Sequence, residues 1–350
     1  MIALYFASMG ESAGKSALCA ALGHIFRAEG KTVGFFKPIA VLPEKAISGV
    51  GDKDAEFMKR YLTLKEPLDL LCPVSLNSRN LKAAVSETEQ AWLEKVKEAY
   101  TRISQDKDVV LVEGLSGFEA GSDLARLGTR IVKVLGAKAI LIVRYQSDLE
   151  TSQIVAAAKI LAGHLLGVII NAVPQRRMDS VKAALVPSIE QNDIKVLGAL
   201  PEERLLFTPS VGELAEHLGG SILNSTERSE ELVESLMVGA MSPDPATSYL
   251  SLKQNKAVII RGDRPDIQLA ALQTSTRCLV ITDNMHPIPN IMGLAQQLKV
   301  PIVVVKENTL RTMEALEGVF DKAKLNNKKL ERLEQLLEQH LDLEPIYQLA

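Results

Sequence analysis

The chain has 350 residues, 47% of them hydrophobic and 24% charged, with a formal net charge of −3. That length calls for about two domains of ordinary globular composition, and the near-neutral charge gives no ground for a nucleic-acid or membrane partner. Aromatics are only 4%, with the single Trp92, so the cores fall to aliphatic side chains; Cys19, Cys72 and Cys278 form no CxxC pair and read as reduced thiols of a cytoplasmic protein.

Six short apolar runs mark the first two hundred residues, at 2–7, 32–36, 108–112, 139–143, 167–170 and 195–199. Each is largely continuous rather than alternating, the pattern of strands buried on both faces of a parallel sheet. Stretches with helical spacing lie between them, among them 16–28, 91–103 and 151–162. Strands alternating with helices predict an α/β fold, a doubly wound parallel sheet with right-handed crossovers. The apolar start is too short for a signal segment, and no uncharged run approaches the ~20 residues that span a bilayer.

The first run enters Ser8-Met9-Gly10-Glu11-Ser12-Ala13-Gly14-Lys15-Ser16-Ala17, followed by an Ala- and Leu-rich helix. A strand, a Gly-containing turn ending in Gly-Lys-Ser and a helix are the context a phosphate-binding loop requires. The N–H groups of Gly10 to Ala17 and the helix N-terminus are expected to face phosphates. Lys15 is expected to reach the β- and γ-phosphates and the Ser16 hydroxyl to ligate Mg²⁺. One position departs from the usual spacing: Met9 stands six residues before Lys15, where a Gly is usual, and Gly10 comes one place later. A side chain there is expected to crowd the turn near the β-phosphate. A chance Gly-Lys-Ser and a loop that no longer binds nucleotide are the alternatives.

The ligand crevice of an open α/β sheet lies beyond the carboxyl ends of its strands. Lys37 follows the second run and offers an ammonium to phosphates, or simply caps a strand. Asp52 and Asp54 precede a helical segment, where either binds Mg²⁺ or caps the helix; Asp54 is preferred for the metal. Glu113 follows four apolar residues and is costly to bury unpaired, which makes it a Walker B-like metal acid or the partner of a buried cation. Asn171 ends the fifth run, either as an amide for an adenine edge or as ordinary turn chemistry. The five histidines show no zinc spacing, and no GxSxG or Cys-His signature supports covalent catalysis.

Past residues 205–224 a second, smaller α/β unit begins, with strands at 257–261, 278–282 and 302–305 and helices at 266–272, 289–298 and 309–320. Gly219-Gly220 and Pro243-Asp244-Pro245 punctuate its start. The expected division is 1–214, 215–325 and a carboxyl-terminal helix in 326–350. That helix carries Leu330, Leu333, Leu337 and Leu341 on one face and packs on its own domain or serves a partner. Asp263, Arg264 and Asp266 line a pocket or pair locally.

The succession of the Gly10–Ser16 loop, Phe36-Lys37-Pro38-Ile39, Val112-Glu113-Gly114, Ile170-Asn171 and Gly198-Ala199-Leu200-Pro201 resembles dethiobiotin synthetase. It resembles still more the synthetase-like amino-terminal domain of long phosphotransacetylases. Val238-Gly239-Ala240-Met241, the stretch Arg261 to Ile267 with Leu269-Ala270-Ala271, and Val300-Pro301-Ile302 resemble the DRTGG domain that follows in those proteins. The literal DRTGG string is absent, and Thr282-Asp283-Asn284 stands where relatives tend to carry Thr-Gly-Gly. The resemblance implies ATP and Mg²⁺ as cofactors, Lys15 and Lys37 in phosphoryl transfer, and Ser16, Asp54 and Glu113 as metal ligands.

Three functions follow as expectations. The first is an ATP- and Mg²⁺-binding regulatory or sensor protein, related to the phosphotransacetylase amino-terminal region, without acetyl transfer of its own and with an unassigned small-molecule ligand in its second unit. The second is an ATP-dependent ligase or weak ATPase acting on a carboxylate, like dethiobiotin synthetase or cobyrinic acid a,c-diamide synthase. The third is a structural subunit with a relic loop. A two-fold homo-oligomer is expected on general grounds.

Overall fold

The computed structural model describes residues 1–41, 52–77, 84, 91–317, 319 and 326–349. Gly51, next to the predicted metal acids, and Phe320, at the end of a predicted helix, lie outside them.

The first unit is built on β1 (Ile2–Ser8), β2 (Val33–Phe36), β3 (Ile39–Val41), β4 (Val74–Leu76), β5 (Val109–Glu113), β6 (Lys138–Arg144), β7 (Leu165–Val173) and β8 (Val196–Pro201). Six of them form one sheet in the order β2-β5-β1-β6-β7-β8, every pair parallel. All residues of β1, β2 and β5 are buried, which is why their sequences are continuous apolar runs. β3 and β4 form a separate parallel pair. Phe6 lies opposite Glu113 and Ser8 opposite Ile142, so the carboxyl ends of β1, β5 and β6 come out close together. The helix Lys15–Ala28 leaves this edge and buries Leu18, Cys19, Leu22, Ile25 and Phe26.

The second unit holds β9 (Ser221–Ile222), β10 (Ser235–Val238), β11 (Lys256–Arg261), β12 (Thr276–Thr282) and β13 (Ile302–Val304). Their order is β10-β11-β12-β13-β9, parallel except for β9. Helices Ala246–Leu250, Pro265–Leu272 and Pro289–Gln297 share one core with Val258, Ile260, Leu279 and Ile281. The alternate residues Ala257, Ile259, Cys278 and Val280 face a second core with the helix Val211–His217. Asp283 and Asn284 both take left-handed backbone, at φ 64 and 53, a conformation that Asp and Asn tolerate far better than other non-glycine residues. Arg261 pairs with Asp263 and Arg264 with Asp266, so the charges around residue 263 satisfy one another locally.

The two compact units are Met1–Glu202 with Leu330–Ala350, and Glu203–Lys329. The division thus falls ahead of the expected residue 215. The physical reason is hydrogen bonding: Ser210 bridges Leu232, and Val211 N–H donates to the Glu231 carbonyl, which ties the approach segment into the second unit. The helix Asn327–His340 follows the second unit in sequence, where packing on its own domain or on a partner was the expectation. Instead it returns to the first, with Leu330, Leu333 and Leu337 buried.

Candidate phosphate and metal site

The loop between β1 and the helix Lys15–Ala28 exposes Gly10, Glu11 and Ser12 at its tip, buries Ala13 and leaves Gly14 to Ala17 half-buried. Gly14 caps the helix at φ 97, and a Cβ there would lie 2.5 Å from Asn171 Nδ2. Glycine is therefore required twice, for backbone and for space. Met9 does not crowd the turn. Its N–H donates to the Ile142 carbonyl at 3.2 Å, and its half-buried side chain packs against the core of the first unit. The left-handed non-glycine residue of the loop is Ser12, at φ 53.

Lys15 Nζ donates to Ser8 Oγ at 3.0 Å and to Ser116 Oγ at 2.5 Å. Burial pulls its ammonium below the ordinary lysine range, and the Glu113 carboxylate opposes that only in part. Ser16 Oγ donates to Glu113 Oε1 at 3.0 Å. The same oxygen lies 3.4 Å from Lys37 Nζ, which also meets Asp52 Oδ1 at 2.9 Å and Asp54 Oδ2 at 2.6 Å. Burial works against the Lys37 charge, but Glu113, Asp54 and Asp52 outweigh it and hold the ammonium well above its usual range. Glu113 is 3% exposed, and burial pushes its carboxyl up, offset in part by Lys37 and Lys15. Its Oε2 is buried without a hydrogen-bond partner among the described residues.

These contacts bring Lys15, Ser16, Lys37, Asp54 and Glu113 to one edge of the sheet. Asp52 does two jobs, since it also caps the helix Lys53–Tyr61 by accepting from Ala55 N–H at 2.9 Å. Among the described residues no three His, Cys, Asp or Glu side chains are grouped to enclose a metal. Mg²⁺ does not ask for such a cage: it keeps several waters and takes one or two carboxylates plus phosphate oxygens. The Ser16 hydroxyl and the bare Glu113 Oε2 fit that donor set. Asp54 is half-exposed and engaged by Lys37, so it reaches a metal only by giving up that contact.

Asn171 sits on the loop. Its Nδ2 donates to the Ala13 carbonyl at 2.9 Å, and its Oδ1 accepts from Ala172 N–H at 2.8 Å. The Nδ2 end thus braces the phosphate loop, while the oxygen is held by the next residue of β7. Of the two hydroxyls on Lys15, sequence reasoning placed Ser8 in the loop without a role and missed Ser116. Ser116 had one usable signal, its place three residues past Glu113 on the same strand end. Cys72 lies beside Asp52 and Lys37, but burial and the Asp52 charge push its thiol up to about 12, so it is no ready nucleophile.

A six-stranded parallel sheet whose first strand opens into this loop is the fold of the P-loop nucleoside triphosphatases, and the second unit adds a smaller α/β domain. The chain belongs to the AAA domain family (AAA_26), whose model matches residues 3–210; the DRTGG domain model matches residues 213–319. Phosphate acetyltransferase of Pseudomonas putida is 26% identical over 91% of this chain and 48% of its own length. That of Nitratidesulfovibrio vulgaris is 25% identical over 97% of this chain and 50% of its own. The ATP-dependent dethiobiotin synthetase BioD of Methanococcus vannielii is 25% identical over 55% of this chain and 89% of its own. The chain thus spans about half the length of the phosphate acetyltransferases it matches, and it has the domain order of the amino-terminal part of long phosphotransacetylases. Among the described residues no helix is long and apolar enough to cross a membrane.

Proposed function

We propose that the chain binds ATP with Mg²⁺ at the Gly10–Ser16 loop and works as a nucleotide-responsive regulatory protein, with the DRTGG domain as its second module. The observation that carries the reading is the meeting of Ser16 with Glu113, 3.0 Å apart, while the other Glu113 oxygen is buried and unpaired. Lys37 compensates the Oε1 side of this buried carboxylate at 3.4 Å, and the bare Oε2 leaves a place for a second cation. When bound, Mg²⁺ would neutralise charge on the phosphates, with Ser16 and Glu113 as its protein donors. Lys15 would hold the β- and γ-phosphates, and the loop N–H groups would cradle them.

A second reading, an ATP-dependent ligase acting on a carboxylate, is favoured by Lys37. Its ammonium stands beside the proposed metal acid, and the chain is similar to a dethiobiotin synthetase over 55% of its length. Titration calorimetry with ATP and Mg²⁺, with Lys15→Ala as control, tests both readings. Saturable binding lost by at least about tenfold in Lys15→Ala is expected, the scale of a lost charge-assisted contact. Absence of any Lys15-dependent binding overturns both. Phosphate release stimulated by a carboxylate such as diaminopelargonic acid would select the ligase.

A further inference from the structure

The two serines on Lys15 are not equivalent. Ser8 is fully buried and its hydroxyl is used in both directions, donating to the Gly10 carbonyl at 2.7 Å and accepting from Lys15. Ser116 is half-buried; its Oγ accepts from Lys15 at 2.5 Å, and its own O–H donates to no acceptor among the described residues. A hydroxyl carries one donor and two acceptor sites, so Ser116 keeps an unspent proton beside an ammonium that can only donate.

The turn that carries Ser116 is fixed on three sides. Leu115 N–H donates to Tyr5 Oη at 3.1 Å. Phe118 N–H donates to the Ser8 carbonyl at 2.9 Å, and Ser122 Oγ to the Gly117 carbonyl at 2.6 Å. The backbone of the turn therefore need not move when an anion arrives; only the Lys15–Ser116 contact is exchanged. What completes the pair is an anionic oxygen able to accept from an ammonium and a hydroxyl together. Ser116 comes three residues after Glu113, which with Ser16 would hold Mg²⁺, and the lysine that it meets is the one that would reach the β- and γ-phosphates. The oxygen is therefore that of the outermost phosphoryl group.

We infer that Ser116 donates a hydrogen bond to the terminal phosphoryl group of the bound nucleoside triphosphate and thereby separates triphosphate from diphosphate. This deepens the nucleotide reading and rests on it. Seen this way, the Lys15–Ser116 contact is the ligand-free partner of each group, and the terminal phosphoryl oxygen replaces it for both.

The test is calorimetry on the full chain with Mg²⁺ and two probes, adenosine β,γ-imidotriphosphate and ADP, for the unaltered protein, Ser116→Ala and Ser116→Thr. Ser116→Ala is expected to weaken the triphosphate analogue about tenfold or more, the scale of a hydrogen bond to a charged group. ADP should change by less than about threefold, and Ser116→Thr, which keeps the hydroxyl, should restore most of the preference. A thermal melt of each variant checks that the fold is intact. If Ser116 only parks Lys15, its removal frees the ammonium and both probes bind equally well or tighter; that result overturns the inference. Equal weakening of both probes overturns it too. If neither probe binds the unaltered chain, the nucleotide reading itself fails and takes this inference with it, which is a distinct outcome.

Discussion

Lys37 holds three carboxylates with one ammonium. Its side chain is 11% exposed, Glu113 3% and Asp52 14%, whereas Asp54 is 49% exposed and counts for less through solvent screening. Removing the cation leaves two largely buried carboxylates without it, which typically costs about 3–5 kcal/mol. Glu113, already pushed up by burial, relieves part of that by taking a proton. Lys37→Met, which keeps the apolar stem, is therefore expected to lose about 2–4 kcal/mol in metal-free urea unfolding. An unchanged midpoint would show that the cluster does not hold the fold. At this scale the sequence was readable where chemistry was anomalous. Glu113 after four apolar residues and Lys15 in a Gly-Lys-Ser turn both stand out against their surroundings. Ser8 and Ser116 do not, because a serine at a strand end is ordinary, and only the folded chain aims both at one ammonium.

At the scale of elements, β2 and β5 are clasped at their starts by a reciprocal pair. Asp108 Oδ2 accepts from Thr32 N–H at 2.8 Å and from Thr32 Oγ1 at 2.7 Å, while Asp108 N–H donates to Thr32 Oγ1 at 2.9 Å. The Thr32 N–H, and then its hydroxyl, lower the Asp108 carboxyl below its ordinary 3.8. A carboxyl lowered by folding adds stability above its unfolded value, and that stability is lost as pH falls through the folded value. The urea midpoint of the unaltered protein should exceed that of Asp108→Asn most near neutrality. The gap should close as pH drops below 3.8; a pH-independent gap would mean that charge has no part in it. The six strands of the large sheet were legible because each is buried on both faces. β3, β4 and β9 were not, being two or three residues long, and β10 is mostly half-buried with no alternation. β7 runs past its apolar stretch: Asn171 looks like an end, yet beyond Ala172 at φ 57 the ladder resumes with Val173 beside Pro201.

Across the whole molecule, the linear order of domains concealed a return. The tail pairs with the first unit through an antiparallel bridge of Leu341 to Gly198, and Asp342 N–H donates to the Leu197 carbonyl at 2.7 Å. Tyr347 Oη donates to Glu29 at 2.5 Å. No local pattern in the last residues announces this, since leucines at helical spacing say that a face is buried, not against what. Gly198 permits the approach: a Cβ there would stand 2.1 Å from the His340 carbonyl oxygen. Gly198→Val is expected to lift the tail off β8 and to speed amide hydrogen exchange at Asp342, with the amides of β1 unchanged. Unaltered exchange at Asp342 would show the pairing to be unimportant. The second unit is thus a guest set into the covalent path of the first, which the chain leaves after β8 and re-enters at Leu330. A peptide bond cut anywhere in Glu203–Lys329 therefore yields two fragments that each own a piece of the host. Within the host, the two pieces meet through the bridge of Leu341 to Gly198 and the buried leucines of the tail, without any covalent link between them.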